Sequence, residues 1–105
     1  MLGFQPKLEL NGFAVFLSGE RKKFSLMASE PFPHPEFKRQ CDIVCEVFRK
    51  EPMRVHGPEA DFAWCQVLGF IYRMVGYMEL TLEDEDGRPL KIPKPYYEKW
   101  GVEFP

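Results

Sequence analysis

The segment between residues 58 and 75 constrains this chain more than any other. Projected at about 100° per residue, its polar stripe consists of Glu59, Gln66 and Arg73. Phe62, Trp64, Val67, Leu68, Phe70, Ile71, Tyr72, Met74 and Val75 cover most of the remaining circumference. A helix this apolar around its girth has to be buried on several sides. Pro58 suits its first turn, Glu59 and Asp61 complement the positive end of its dipole, and Gly76 suits the position just past its end. Gly69 weakens the helix by about 1 kcal/mol relative to Ala, which points to a close backbone approach.

The chain has 105 residues, the usual size of one domain, so a single domain over 1–105 has to supply that cover. An apolar fraction of 45% with ten phenylalanines provides material for a core. Either the helix is the central element or part of it lies in an interface, and a homodimer or another protein partner is the expectation.

Residues 7–28 read as a three-stranded meander. Asn11-Gly12 carries the strongest hairpin signal, because both residues tolerate positive φ. That turn sets Leu10 opposite Phe13 and Leu8 opposite Val15, all on one face, and puts Phe16 on the outer face as an exposed aromatic. A second turn at Ser18-Gly19-Glu20-Arg21 sets Val15 opposite Phe24 and Phe13 opposite Leu26. After Pro31, Pro33 and Pro35, a first helix is expected over 35–50, with Phe37, Cys41, Val44, Cys45 and Phe48 on one stripe. Pro52 stops it.

Residues 77–92 read as a last hairpin turning at 84–87, with Pro89 and Pro93 marking an edge strand. Residues 95–100 suggest one helical turn. The expected fold is α+β: an antiparallel sheet in β-β-β-α-α-β-β order with two packed helices on one face.

Composition excludes several function classes. Fourteen basic and sixteen acidic side chains give a formal charge of −2, and the one basic run is Arg21-Lys22-Lys23. No phosphate-neutralising stripe is present, so no nucleic-acid partner is expected. The apolar stretch 62–78 contains Gln66, Arg73 and two glycines and falls short of a membrane span, so no membrane partner is expected either. The beginning MLGFQPKLEL lacks a basic region followed by a long apolar one, so no secretory signal is expected. Three cysteines are an odd count without the spacing of a disulfide framework; reduced core thiols and a cytoplasmic location follow.

The chemistry that can be tested is thin. GxGxxG, GxxxxGK[ST] and HExxH do not occur, and no cofactor is expected. Cys41, Cys45 and Cys65 with a histidine lack the turn-borne pairs of a zinc site, so no metal is expected. Glu83, Asp84, Glu85 and Asp86 do not follow a calcium-loop pattern and read as a solvated tip or a rim for a basic partner. No catalytic residue is assigned.

The expected function is a small non-enzymatic protein-binding or regulatory and inhibitory domain. Its contact residues are Phe16, Tyr96, Tyr97 and Trp100, with the acidic tip at the rim. One alternative is a small enzyme or ligand-binding domain with a dispersed pocket of His56, Asp61, Cys65, Arg54 and Arg73. Another is a structural or phage-like scaffold component.

Overall fold

The computed structural model describes residues 6–94, 96–97 and 102–103. Strands β1 (Pro6–Val15), β2 (Arg21–Ser29), β3 (Phe32–His34), β4 (Lys38–Val44) and β5 (Met53–Gly57) precede a single helix, α1 (Ala60–Tyr77), and β6 (Thr81–Glu83) follows it. These six strands form one antiparallel sheet with the path β3-β4-β2-β1-β6, and β5 pairs with β4. Strands β7 (Tyr96–Tyr97) and β8 (Val102–Glu103) form a separate two-stranded ladder.

The order is therefore β-β-β-β-β-α-β for the main sheet, with one helix among the described residues instead of the two expected. The helix expected over 35–50 is β4 followed by a turn. Cys41, Ile43 and Cys45 are buried at every second position, which is the strand period, and Lys38 has φ 67°, outside any right-handed helix. Strand β4 is hydrogen-bonded to β5 on one side and to β2 and β3 on the other. Neighbours that satisfy both edges of its backbone override a helical stripe read from the segment alone. At its end, the N–H groups of Phe48 and Arg49 donate to the Cys45 carbonyl and turn the chain back toward β5.

Asn11-Gly12 is not a turn. Strand β1 runs through it, with Asn11 opposite Ser25 and Gly12 opposite Phe24. Gly12 answers a different demand: a Cβ there would collide with the Glu83 carbonyl on β6. The chain reverses at 16–20 instead, closed by Phe16 N–H donating to the Glu20 carbonyl at 2.9 Å, with Gly19 at φ +90°.

The register shifts as a result, so that Phe13 faces Lys23 and Val15 faces Arg21. Leu8, Leu10 and Ala14 join Phe24, Leu26 and Ala28 on the covered face. Phe13 and Val15, by alternation, move to the other. Phe16 is half-buried against the core and not an outer-face aromatic.

The helix expected over 58–75 is present as α1, and one side of its apolar girth is buried within the chain, while Phe62, Trp64, Tyr72, Met74 and Val75 are half-buried. Ala63, Cys65, Val67, Leu68, Gly69, Phe70 and Ile71 are buried. Of these, Ala63, Val67, Leu68, Phe70 and Ile71 share one core cluster with Phe24, Ile43, Leu80 and Leu82. No helix among the described residues is long and apolar enough to cross a membrane.

The expected turn at 84–87 is present, with Gly87 N–H donating to the Asp84 carbonyl and a bridge from Glu83 to Pro89. Of the helical turn expected over 95–100, Tyr96–Tyr97 is a strand and the rest, including Trp100, lies outside the described residues.

Candidate functional site

Strands β3 and β4 are joined by a three-residue loop of Pro35, Glu36 and Phe37, and the residue after it is left-handed. This is a common form of hairpin, a turn followed by a bulge, and its left-handed position is normally glycine. Here Lys38 occupies it, and Lys38 and Arg39 both oppose Gly57 in the register with β5. Pro35 fixes the φ that the start of such a turn requires.

The loop is pinned by a side chain. The backbone N–H groups of Glu36 and Phe37 both donate to His34 Nδ1, at 3.1 and 3.2 Å. Accepting those two bonds places the imidazole proton of neutral His34 on Nε2.

His56, on β5, is oriented by a different network. Gln40 Nε2 donates to Asp42 Oδ1 at 2.7 Å, so Gln40 Oε1 is turned toward His56, whose Nε2 lies 3.0 Å away. Nε2 of His56 is accordingly the donor. Gln40 is buried, and both ends of its amide are satisfied. Ser29, also buried, accepts the Asp42 N–H through Oγ at 2.9 Å.

Phe37 and the two imidazoles form a triangular cluster of rings. The Phe37 ring centroid is 4.4 Å from that of His56 and 5.1 Å from that of His34, and the histidines are 5.2 Å apart. Despite these contacts Phe37 is 49% exposed.

Beside it lies a groove of about 350 Å³ lined by Glu36, Phe37, Lys38, His56, Gly57, Pro58 and Phe62. The helix joins the groove closely. A Cβ on Gly57 would stand 2.7 Å from Phe62 Cδ1 and 2.8 Å from the Ala63 nitrogen. Glycine at 57 thus lets α1 start flush against β5.

A second groove of about 410 Å³ lies among Lys23, Ser25, Met27, Val44, Glu46 and Val47, none of them aromatic.

Of the residues singled out in the sequence, His56 lines the aromatic groove. Arg54 stands two residues along β5, opposite Asp42. Asp61 is exposed in the first turn of α1, Cys65 is buried one turn later, and Arg73 is exposed two turns beyond that. Phe16 packs on the core with Lys22 Nζ 5.6 Å from its ring centre.

The acidic tip is partly spent on its own fold. Glu83 pairs with Arg21 at 3.2 Å, and Asp84 Oδ1 accepts the N–H groups of Asp86 and Arg88 at 2.9 Å each. Glu85 and Asp86 are exposed. Tyr96 and Tyr97 lie on β7, next to α1.

His34, Phe37, Gln40 and Phe62 were not among the sequence candidates. For His34 and the loop after it, the signal is Pro33-His34-Pro35. A residue before proline is biased to extended backbone, which fits a strand end better than a helix entry.

Cys41, Cys45 and Cys65 are free and buried. Burial pushes the Cys41 thiol up to about 12 and raises that of Cys45, so at neutral pH both are protonated. Among the described residues no cluster of three or more His, Cys, Asp or Glu is arranged to hold a metal ion. Comparison of the chain with protein-family models, with curated proteins and with solved structures finds no match to any of them.

Proposed function

We propose that this chain is a non-enzymatic protein-binding domain, regulatory or inhibitory in role, that receives an aromatic side chain from an extended partner segment in the groove beside Phe37. The observation that carries this reading is the exposure of Phe37 in a loop built to hold it. An apolar ring is kept at the surface by two hydrogen bonds to His34 and by a non-glycine residue in the left-handed region. Strain of that kind collects at functional sites. A groove of about 350 Å³ is at the small end for a ligand pocket and suits one large side chain. Phe37, Phe62, Pro58 and the His56 ring supply apolar and edge-to-face contacts, and Glu36 and Lys38 supply polar contacts of either sign at the rim.

The histidine network favours binding over hydrolysis. Between His56 and Asp42 stands the neutral amide of Gln40, so the carboxylate does not contact the ring as the acid of a catalytic His–Asp pair would.

A displayed library of random peptides, selected on the wild-type chain and counter-selected on Phe37→Ala, tests the reading. The selected peptides should share an aromatic residue and perturb backbone amides at 34–38 and 56–62. Phe37→Ala should weaken them by about tenfold or more. Peptides that perturb the Lys23 to Val47 groove instead, or bind Phe37→Ala equally well, overturn it. Leu17 and Tyr77, 77% and 87% exposed, are the other large apolar side chains on the described surface. A second copy offering Tyr77 would make the partner the chain itself, and a solution mass of one protomer at micromolar concentration excludes that partner.

A further inference from the structure

The two histidines at this groove respond differently to a proton. His56 donates through Nε2, so a proton added at Nδ1 leaves its bond to Gln40 in place. His34 uses Nδ1 as the acceptor for two backbone N–H groups. Protonation there removes the acceptor and turns a donor toward two donors. Imidazole is the side chain whose ordinary titration falls between about pH 5 and 8.

We infer that His34 is a pH-sensitive latch on the β3–β4 loop: neutral, it holds Phe37 over His56, and protonated, it releases the loop and the aromatic wall of the groove. Its consequence for binding rests on the reading of the groove given above.

The geometry supplies both states. In the neutral state the Phe37 ring packs against both imidazoles, which also touch each other at 5.2 Å. In the protonated state the two N–H bonds are lost, and a second proton on His56 would set like charges side by side. The β3–β4 pairing that ends at His34 and Lys38 still closes the loop, as does Arg39, whose N–H donates to the Phe37 carbonyl at 2.8 Å.

The charged and titratable groups on the surrounding elements nearly balance. They are Glu36 in the loop, Lys38, Arg39 and Asp42 on β4, Arg54 and His56 on β5, and Glu59 and Asp61 at the start of α1. The loop is exposed, so water reaches both imidazoles when it opens.

Amide spectra of the full chain between pH 8 and pH 5 test the latch in wild type and in His34→Asn. Asparagine keeps a side-chain acceptor for the same N–H groups and does not titrate in this range. In wild type the Glu36 and Phe37 amides should move with the midpoint of the His34 ring, and their hydrogen exchange should speed up by about tenfold or more. In His34→Asn these amides should stay in place while signals around His56 still move.

The inference fails if the wild-type amides ignore the His34 titration, or if they move equally in His34→Asn. The wild-type titration alone decides it should the variant not fold. N-acetyltryptophanamide, neutral throughout, serves as the probe of the groove. On the order of tenfold weaker binding at pH 5 than at pH 7.5, abolished in His34→Asn, links the latch to recognition. Co-titrating amides with no probe bound at 34–38 and 56–62 leave the latch standing and count against the groove as an aromatic receptor.

Discussion

Lys38 and Glu79 are the non-glycine residues that the described backbone holds in the left-handed region, with φ 67° and 54°. They stand near opposite ends of α1. At Glu79 the conformation serves the helix itself. Glu79 N–H donates to the Gly76 carbonyl and Leu80 N–H to the Val75 carbonyl, so the last turn closes two carbonyls that would otherwise lack partners. Leu80 is thereby delivered into the core. At Lys38 the same conformation bends a strand, and the ring next to it ends half in water. One corner spends strain on closure and the other on display, and the difference marks the β3–β4 end of the molecule as its candidate recognition surface.

The two ends of α1 can be set against each other with one substitution. Gly57→Ala inserts a methyl against Phe62 and against the Ala63 backbone nitrogen, which cannot move without the helix. It should cost about 1–3 kcal/mol in chemical denaturation and disturb the groove. Gly76→Ala meets nothing within 4 Å and lies inside the helix. It should stabilise the chain by about 0.5–1 kcal/mol. Equal signs for the two would mean that α1 is not seated against β5 at Gly57, and the contrast between its ends would lose its basis.

That contrast was legible in the sequence at one end only. The length and apolar girth of α1, with Pro58 before it and a breaker near 76, identify the helix within two residues at either end. The turn at 84–87 was legible because its residues have no alternative use. The β4 end was hidden by ambiguity of period. Phe37, Cys41, Val44, Cys45 and Phe48 fit a helical stripe, and Cys41, Ile43 and Cys45 fit a strand equally well. Only the pairing partners on both edges of β4 decide between them.

Gly12 was misleading for a related reason. A glycine required by the approach of β6, about seventy residues away in sequence, looks locally identical to a glycine required by a turn. His34 and His56 are likewise distant in sequence and meet across β4, so the candidate site depends on a register that no local pattern states.

Glycine at the two left-handed positions gives a smaller effect. Glu79→Gly should stabilise by about 0.5–1 kcal/mol, because the conformation is kept and its steric cost removed. The amides at 34–38 should not respond. Lys38→Gly should bring a gain of similar size at the bulge, and by freeing the backbone it should also speed hydrogen exchange at Glu36 and Phe37. If Lys38→Gly stabilises the chain and leaves those amides as protected as before, the residue at 38 has no part in holding Phe37, and the two corners differ less than their surroundings suggest.

The effect expected to be smallest near neutrality concerns the thiols on the covered side of β4, the strand that carries Lys38. Burial raises the Cys41 thiol to about 12, above its ordinary value near 9, and it raises Cys45 against the pull of the Phe48 and Val47 backbone groups. A group whose pKa is higher in the folded than in the unfolded chain contributes stability that is complete below the unfolded value and is lost as pH rises toward the folded one. Denaturation midpoints should therefore be flat with respect to these thiols between pH 6 and 8, and should fall from about pH 9 toward 12. Lysine and tyrosine titrate in the same window, so the informative quantity is the difference between wild type and Cys41→Ala, which should show the shallower alkaline decline. Identical slopes would place Cys41 in contact with water in the folded chain. In that case β4 would not be the buried central strand against which the Lys38 corner is bent, and the display of Phe37 would need another support.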